Sequence, residues 1–143
     1  MQTLTSVLAF VYKETEKGLS YLLLSEKSLG KDLLWRTFSC LPEDVDAKIG
    51  FIHSTLKKDL GIKKTILVKG PLYSFRTNVS EDQIITNFVY AIQVPSETVV
   101  KLGVESTDYL WLSAEDVFEL LPDTDDYHNS LWFVNAYALS RSK

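Results

Sequence analysis

Hydrophobic and polar positions alternate between two regimes along this chain. Ser6 to Tyr12 (SVLAFVY) and Ser20 to Leu24 (SYLLL) are short apolar runs rich in strand formers. Between them lies KETEKG, a charged turn ending in Gly18, so the pair predicts a hairpin of buried strands. Lys27 to Asp32 is polar, carries Gly30 and predicts a loop; Leu33 to Phe38 (LLWRTF) predicts a short strand. The period then changes. Ile49, Ile52, Leu56 and Leu60 recur at steps of three and four, the stripe of an amphipathic helix over Asp46 to Leu60. Asp44 or Asp46 can cap its start, and Gly61 stands where a left-handed C-cap belongs. Thr65 to Val68 and Leu72 to Phe75 are strand-like and broken by Gly70-Pro71, and Thr77 to Gln83 predicts a polar loop. Ile84 to Val94 is the longest strand candidate, stopped by Pro95. Tyr109 to Leu112 predicts a short strand. Ser113 then caps a helix with Glu115 and Asp116 in its first turn. After the polar turn Pro122 to Asp126 a final helix runs through Leu139, with Leu131, Val134 and Ala138 as its apolar stripe.

Hairpin, strand, helix, several strands and two closing helices make an α+β sandwich with a mixed sheet. No repeat, low-complexity tract or Pro/Gly/Ser-rich linker divides residues 1–143, so one domain is expected. At 143 residues and 45% hydrophobic the chain can bury a sizeable core. A formal net charge of -4 gives no electrostatic footprint for nucleic acid. No apolar run reaches membrane-spanning length, and residues 1 to 13 lack the pattern of a secretory signal. The lone Cys40 cannot form an internal disulfide, and the two histidines, His53 and His128, show no zinc spacing. The expectation is a soluble cytoplasmic protein with no nucleic-acid or membrane partner.

Three stretches carry a resemblance to a known family. Leu34 to Cys40 (LWRTFSC) resembles the Trp-containing strand entering the motif of the Nudix hydrolase superfamily. Phe88 to Pro95 (FVYAIQVP) resembles the central strand after that motif. Glu105 to Leu112 (ESTDYLWL) resembles the late Glu and aromatic-Trp strand. The resemblance spans nearly the whole chain and is nearest the bacterial nucleoside-triphosphate and dihydroneopterin-triphosphate pyrophosphohydrolase branch. It implies a Nudix-type α/β/α sandwich.

The family motif, G-x5-E-x7-R-E-U-x-E-E-x-G-U with U bulky and apolar, lies ungapped on Cys40 to Ile62. Its first Gly falls on Cys40, its first Glu on Asp46, its Arg on Ser54 and the next Glu on Thr55. Its Glu pair falls on Lys58 and Asp59, its last Gly on Gly61 and its last apolar position on Ile62. Positions 55, 58 and 59 share one helix face. In the family, glutamates there hold magnesium against a diphosphate. Here that face presents a hydroxyl, an ammonium and one carboxylate, a poor set for an ion that wants hard oxygen donors.

The resemblance therefore implies a degenerate motif on a domain that binds a small nucleotide-like or phosphorylated ligand, with weak or no hydrolysis. An active alternative, a divergent pyrophosphohydrolase, would use Mg2+ at Asp46 and Asp59 with Glu105 as catalytic residue. A third is a structural role, such as a homodimer. Lys58 could contact phosphate directly, although cations at a helix C-terminus are ordinary; Lys57, Lys63 and Lys64 enlarge the cluster. The resemblance places Trp35, Tyr73, Phe75 and Arg76 along a ligand pocket, against the plainer reading of Trp35 and Phe75 as core. Trp111 and Trp132 read as packing on the sheet, Cys40 as a buried inert thiol, His53 as a satisfied structural residue and His128 as a surface one. Asp123, Asp125 and Asp126 form a solvated turn and helix cap.

Overall fold

The computed structural model describes residues 2–27, 33–40, 48–103, 108–121 and 125–141. They form seven strands and three helices: β1 (Gln2–Thr15), β2 (Gly18–Lys27), β3 (Leu33–Arg36), β4 (Phe38–Cys40), α1 (Lys48–Leu60), β5 (Leu67–Ser80), β6 (Gln83–Gln93), β7 (Asp108–Leu112), α2 (Ala114–Leu120) and α3 (Asp125–Arg141). The sheet order is β3-β2-β1-β6-β5, with β4 paired to β1 and β7 to β2. β1 and β6 run parallel and the other pairs antiparallel, so the sheet is mixed.

Apolar runs without alternation mark strands covered on both faces, and both faces are covered. Val7, Ala9 and Val11 of β1 join Leu22, Leu24, Tyr90 and Ile92 under Ile52, Leu56 and Leu60 of α1. Leu8, Phe10 and Tyr12, pointing the other way, join Tyr21, Leu23, Val89 and Ala91 under Val117 of α2 and Leu131, Val134 and Ala138 of α3. The sandwich is therefore α1, sheet, then α2 with α3, as the order of elements predicts. No helix among the described residues is long and apolar enough to cross a membrane.

Several boundaries differ from expectation. The first hairpin is tighter: β1 runs on to Thr15, which pairs with Gly18. Thr15 holds the turn, its hydroxyl donating to the Gly18 carbonyl at 2.8 Å and accepting from Lys17 N–H at 3.2 Å. The strand expected over Leu33 to Phe38 is split at Thr37, where the chain leaves β2 for β1. The buried Thr37 hydroxyl donates to the Ala9 carbonyl at that crossing.

Gly70-Pro71 does not end β5 but bends it, with a register shift between Lys69 and Tyr73. A Cβ on Gly70 would lie 2.6 Å from the Tyr90 ring, so only glycine lets the bulge lie this close to the sheet. Thr77 to Gln83 is not a loop. Thr77 to Ser80 pair with β6, and only Glu81 and Asp82 turn between the strands. These polar residues sit on an edge strand beside water, where polarity does not argue against a ladder.

Candidate functional site

The C-terminal half of α1 is the region where the motif and the geometry meet. Ile52, Leu56 and Leu60 are fully buried, which turns Ser54, Lys57 and Lys58 to water and leaves Thr55 and Asp59 half-buried at the flank. The Thr55 hydroxyl donates to the Phe51 carbonyl one turn back, at 2.8 Å. Gly61 ends the helix at φ +66°, its N–H donating to the Lys57 carbonyl at 3.1 Å, the left-handed cap expected there.

The last carbonyls of a helix need donors from outside it. Here the irregular segment after β6 supplies them. Lys101 N–H donates to the Leu60 carbonyl and Gly103 N–H to the Asp59 carbonyl, both at 2.8 Å. Nothing in the local sequence marks this contact, since Lys101 and Gly103 lie some forty residues from the helix they cap. It adds Lys101 to the cluster anticipated from Lys57, Lys58, Lys63 and Lys64, and all five are exposed. Among the described residues none of the five makes an ion pair. A depression of about 210 Å³ lies against this end of the helix, lined by Gly61, Ile62, Lys63, Lys64, Pro95, Glu97, Thr98 and Val99, so that two lysines face one glutamate there. A larger, open depression of about 840 Å³ at the ends of β1 and β6 is lined by Glu14, Glu16 and Glu97; that acidic wall suits no phosphate.

Thr55, Lys58 and Asp59 by themselves do not fit magnesium: one committed hydroxyl, one cation and one carboxylate fall short of its oxygen shell. No group of three His, Cys, Asp or Glu side chains among the described residues could hold a metal ion. Asp46 and Glu105, and Glu43 and Asp44 beside the former, lie outside the described residues.

The other expected pocket residues are not gathered in one place. Trp35 on β3 and Tyr73 on β5 stand on strands that do not pair with each other, both half-buried against the α2/α3 core. Tyr73 stacks on Phe133 at 5.4 Å, and its hydroxyl lies 3.4 Å from Asp126 Oδ1. Phe75 packs beside it on the same core. Arg76 alternates with these two, which turns it to the α1 face, exposed and opposite Thr86. Lys58 rides on α1, across the sheet from Trp35 and Tyr73. Trp111 packs on the α1-face core as expected, but Trp132 does not pack on the sheet and is 60% exposed. His53 is exposed rather than internally satisfied. His128 is half-buried, its ring edge-on to Phe118 at 5.5 Å. Asp125 and Asp126 begin α3 as expected, whereas Asp123 and the side chain of Cys40 lie outside what is described.

No family model and no curated protein matches the chain. Solved structures do. An Ap4A hydrolase of C. elegans, as a binary complex, superposes with a TM-score of 0.79 at 12% identity, over 96% of this chain and 98% of that one. The dihydroneopterin triphosphate pyrophosphohydrolase of E. coli gives 0.73 at 14% identity, over 92% and 95%. The Nudix domain of Shewanella oneidensis NrtR, in complex with ADP ribose, gives 0.70 at 13% identity, over 99% and 90%. With this sheet order, the helix after the Trp-bearing strand and coverage from end to end, the chain has the fold of the Nudix hydrolases.

Proposed function

We propose that the protein binds a nucleotide-like or other phosphorylated ligand at the C-terminal end of α1, with weak or no hydrolysis. The observation that carries this reading is the pairing of a metal-poor helix face with a cluster of exposed lysines. The motif positions that would hold a cation in Nudix relatives carry Thr55, Lys58 and Asp59 here, and the Thr55 hydroxyl already serves its own helix. Beside them stand five exposed lysines that make no ion pair among the described residues, in a chain of net charge -4. Ammonium groups attract phosphate directly, as point charges on flexible stems. Structural neighbours that bind ADP ribose or act on Ap4A make nucleoside diphosphates the class to try first. A reducing cytoplasm is the compartment this reading assumes, given the lone Cys40.

The test is a thermal-shift and turnover series with ADP-ribose and diadenosine tetraphosphate, run with magnesium and with chelator. Ligand should raise the melting temperature in both conditions, by an amount that grows with concentration, while no phosphate or nucleotide is released. Magnesium-dependent turnover abolished by Asp59→Ala would overturn the reading.

A second reading, a divergent pyrophosphohydrolase using magnesium at Asp46 and Asp59 with Glu105, draws support from one contact. The Gly103–Asp59 hydrogen bond brings the chain onto the last turn of α1 two residues before Glu105 in sequence. That same turnover experiment decides between the two.

A further inference from the structure

The depression at the end of α1 is too small to enclose a nucleotide. It measures about 210 Å³, below the roughly 300 Å³ where ligand-enclosing pockets begin. Ile62, Pro95 and Val99 supply its apolar lining, and Lys63, Lys64 and Glu97 its charges. A base would look for an aromatic face to stack on, and the chain's aromatic residues are committed elsewhere. On the α1 side of the sheet Phe38 and Tyr90 are buried, and Phe88, Tyr109 and Trp111 pack against the same core. The Trp111 ring already carries the Lys13 ammonium, 4.3 Å from its centroid. Phe51 stands in the first turn of α1, about 14 Å along the axis from Leu60. The remaining aromatics belong to the α2/α3 layer across the sheet.

We propose that the ligand is held at this end of α1 by its phosphate chain alone, so that the site takes oligophosphates of three or more phosphates and does not read the base. This deepens the phosphorylated-ligand reading and rests on it. A helix C-terminus ordinarily repels an anion, because its last carbonyls carry partial negative charge. Three of the last four are occupied here: the Lys57, Asp59 and Leu60 carbonyls accept from the Gly61, Gly103 and Lys101 amides. That pairing offsets the carbonyl charge, and the ammonium groups of Lys57, Lys58, Lys63, Lys64 and Lys101 outnumber the carboxylates of Asp59 and Glu97.

Magnitudes select the length of the chain. An exposed ion pair strengthens binding only a few-fold, so a single phosphate on this surface is held weakly. Successive phosphates add successive pairs. Lys63 and Lys64 line the depression, and the Lys101 side chain stands against Gly61, which lines it too. Neighbouring phosphates therefore find separate partners. Glu97 opposes them from the same rim, its Oε2 accepting from the Ser96 hydroxyl at 3.2 Å.

Isothermal titration of the full chain, with chelator and at low salt, tests this. Inorganic phosphate, pyrophosphate and tripolyphosphate should bind progressively tighter, by about threefold or more at each step. ATP, GTP and CTP should match one another within about threefold, and adenosine should not bind. Reversing Lys63→Glu and Lys64→Glu together should weaken tripolyphosphate by about tenfold or more. Lys69→Glu, the same sign of change on the opposite face of the sheet, should alter it by less than about twofold. Glu97→Gln should tighten it. Phosphate binding as tightly as tripolyphosphate, or a base preference beyond threefold, overturns the inference and leaves the phosphorylated-ligand reading standing. Failure of every probe to bind overturns both. Equal losses in the lysine pair and in Lys69→Glu would reduce the effect to net charge and overturn the placement. If the paired variant does not fold, the wild-type series and Glu97→Gln decide.

Discussion

Tyr12 and Tyr21 lie side by side in the core under α2 and α3, ring centroids 5.7 Å apart, and only one of them has a hydrogen-bond partner among the described residues. The Tyr21 hydroxyl donates to Asn135 Oδ1 at 2.8 Å, tying β2 to α3. The Tyr12 hydroxyl is equally buried and has none among the described residues. A buried hydroxyl without a partner costs its desolvation, while a satisfied one contributes a modest net gain. The same substitution should therefore act in opposite directions. Tyr21→Phe is expected to lose about 1 kcal/mol and Tyr12→Phe to gain up to about 1 kcal/mol. Urea midpoints of the two variants, with unchanged slopes, check this. Equal losses in both would show that Tyr12 is satisfied after all.

The same pair couples the fold to alkaline pH. Burial pushes the Tyr12 phenol up to about 12, helped by the Tyr137 phenol and opposed by Arg141. Burial, with Tyr12 beside it, raises Tyr21 further. An unfolded tyrosine ionises near pH 10. Above that pH the unfolded chain releases protons that the folded chain keeps, so stability is level below pH 10 and falls as pH rises toward 12. Tyr12→Phe removes one of these groups and should flatten the decline. Denaturation midpoints taken between pH 9 and 12 measure it. An unchanged slope in the variant would remove Tyr12 from the account.

At Gly61 two requirements coincide. Its φ of +66° is a conformation that side chains disfavour, and a Cβ there would lie 3.0 Å from the Lys101 Cβ. Gly61→Ala is expected to cost about 1–2 kcal/mol for the left-handed backbone alone. It should also push the Lys101–Gly103 segment away from the end of α1. Hydrogen exchange at Lys101 and Gly103, whose amides donate to the Leu60 and Asp59 carbonyls, reports that displacement separately from global stability. Protection unchanged at both amides would mean the segment tolerates the methyl.

What could be read from the sequence was what a single periodicity controls. Ile52, Leu56 and Leu60 gave α1, and Gly61 its end, because one buried stripe and one backbone angle suffice. The unbroken runs of β1 and β6 were legible because both faces of each strand are covered. Polar Thr77 to Ser80 was misread as loop because an edge strand beside solvent needs no apolar signature. Trp132 was misplaced because bulk and aromaticity favour burial on average, whereas its position on α3 lies opposite Leu131, Val134 and Ala138. The lysine cluster was half visible. Lys57, Lys58, Lys63 and Lys64 are neighbours in sequence, but Lys101 joins them only through backbone hydrogen bonds that no local pattern encodes. The lining of one pocket by Trp35, Tyr73, Phe75 and Arg76 is an expectation drawn from resemblance, with Lys58 named apart from it as a phosphate contact. The fold separates them: Trp35, Tyr73 and Phe75 pack on the α2/α3 core, Arg76 turns to the α1 face, and Lys58 rides on α1, across the sheet from the three aromatics.

The ligand reading makes a charge prediction that differs from the one metal chemistry would make. If exposed lysines attract phosphate directly, Lys58→Glu reverses one charge at the end of α1, and ADP-ribose affinity should fall about tenfold or more at low salt. The loss should shrink as salt rises, since exposed charges are screened over about 10 Å at 0.1 M ionic strength. Asp59→Asn, which removes the neighbouring negative charge, should leave affinity unchanged or raise it. A magnesium site on the same face would behave in reverse: Asp59→Asn would weaken binding, and Lys58→Glu, by adding a carboxylate at a family ligand position, would strengthen it in the presence of magnesium. Isothermal titration of wild type and both variants, at two salt concentrations and with magnesium or chelator, separates the two patterns by sign. Tighter magnesium-dependent binding in Lys58→Glu would sink the direct-contact reading.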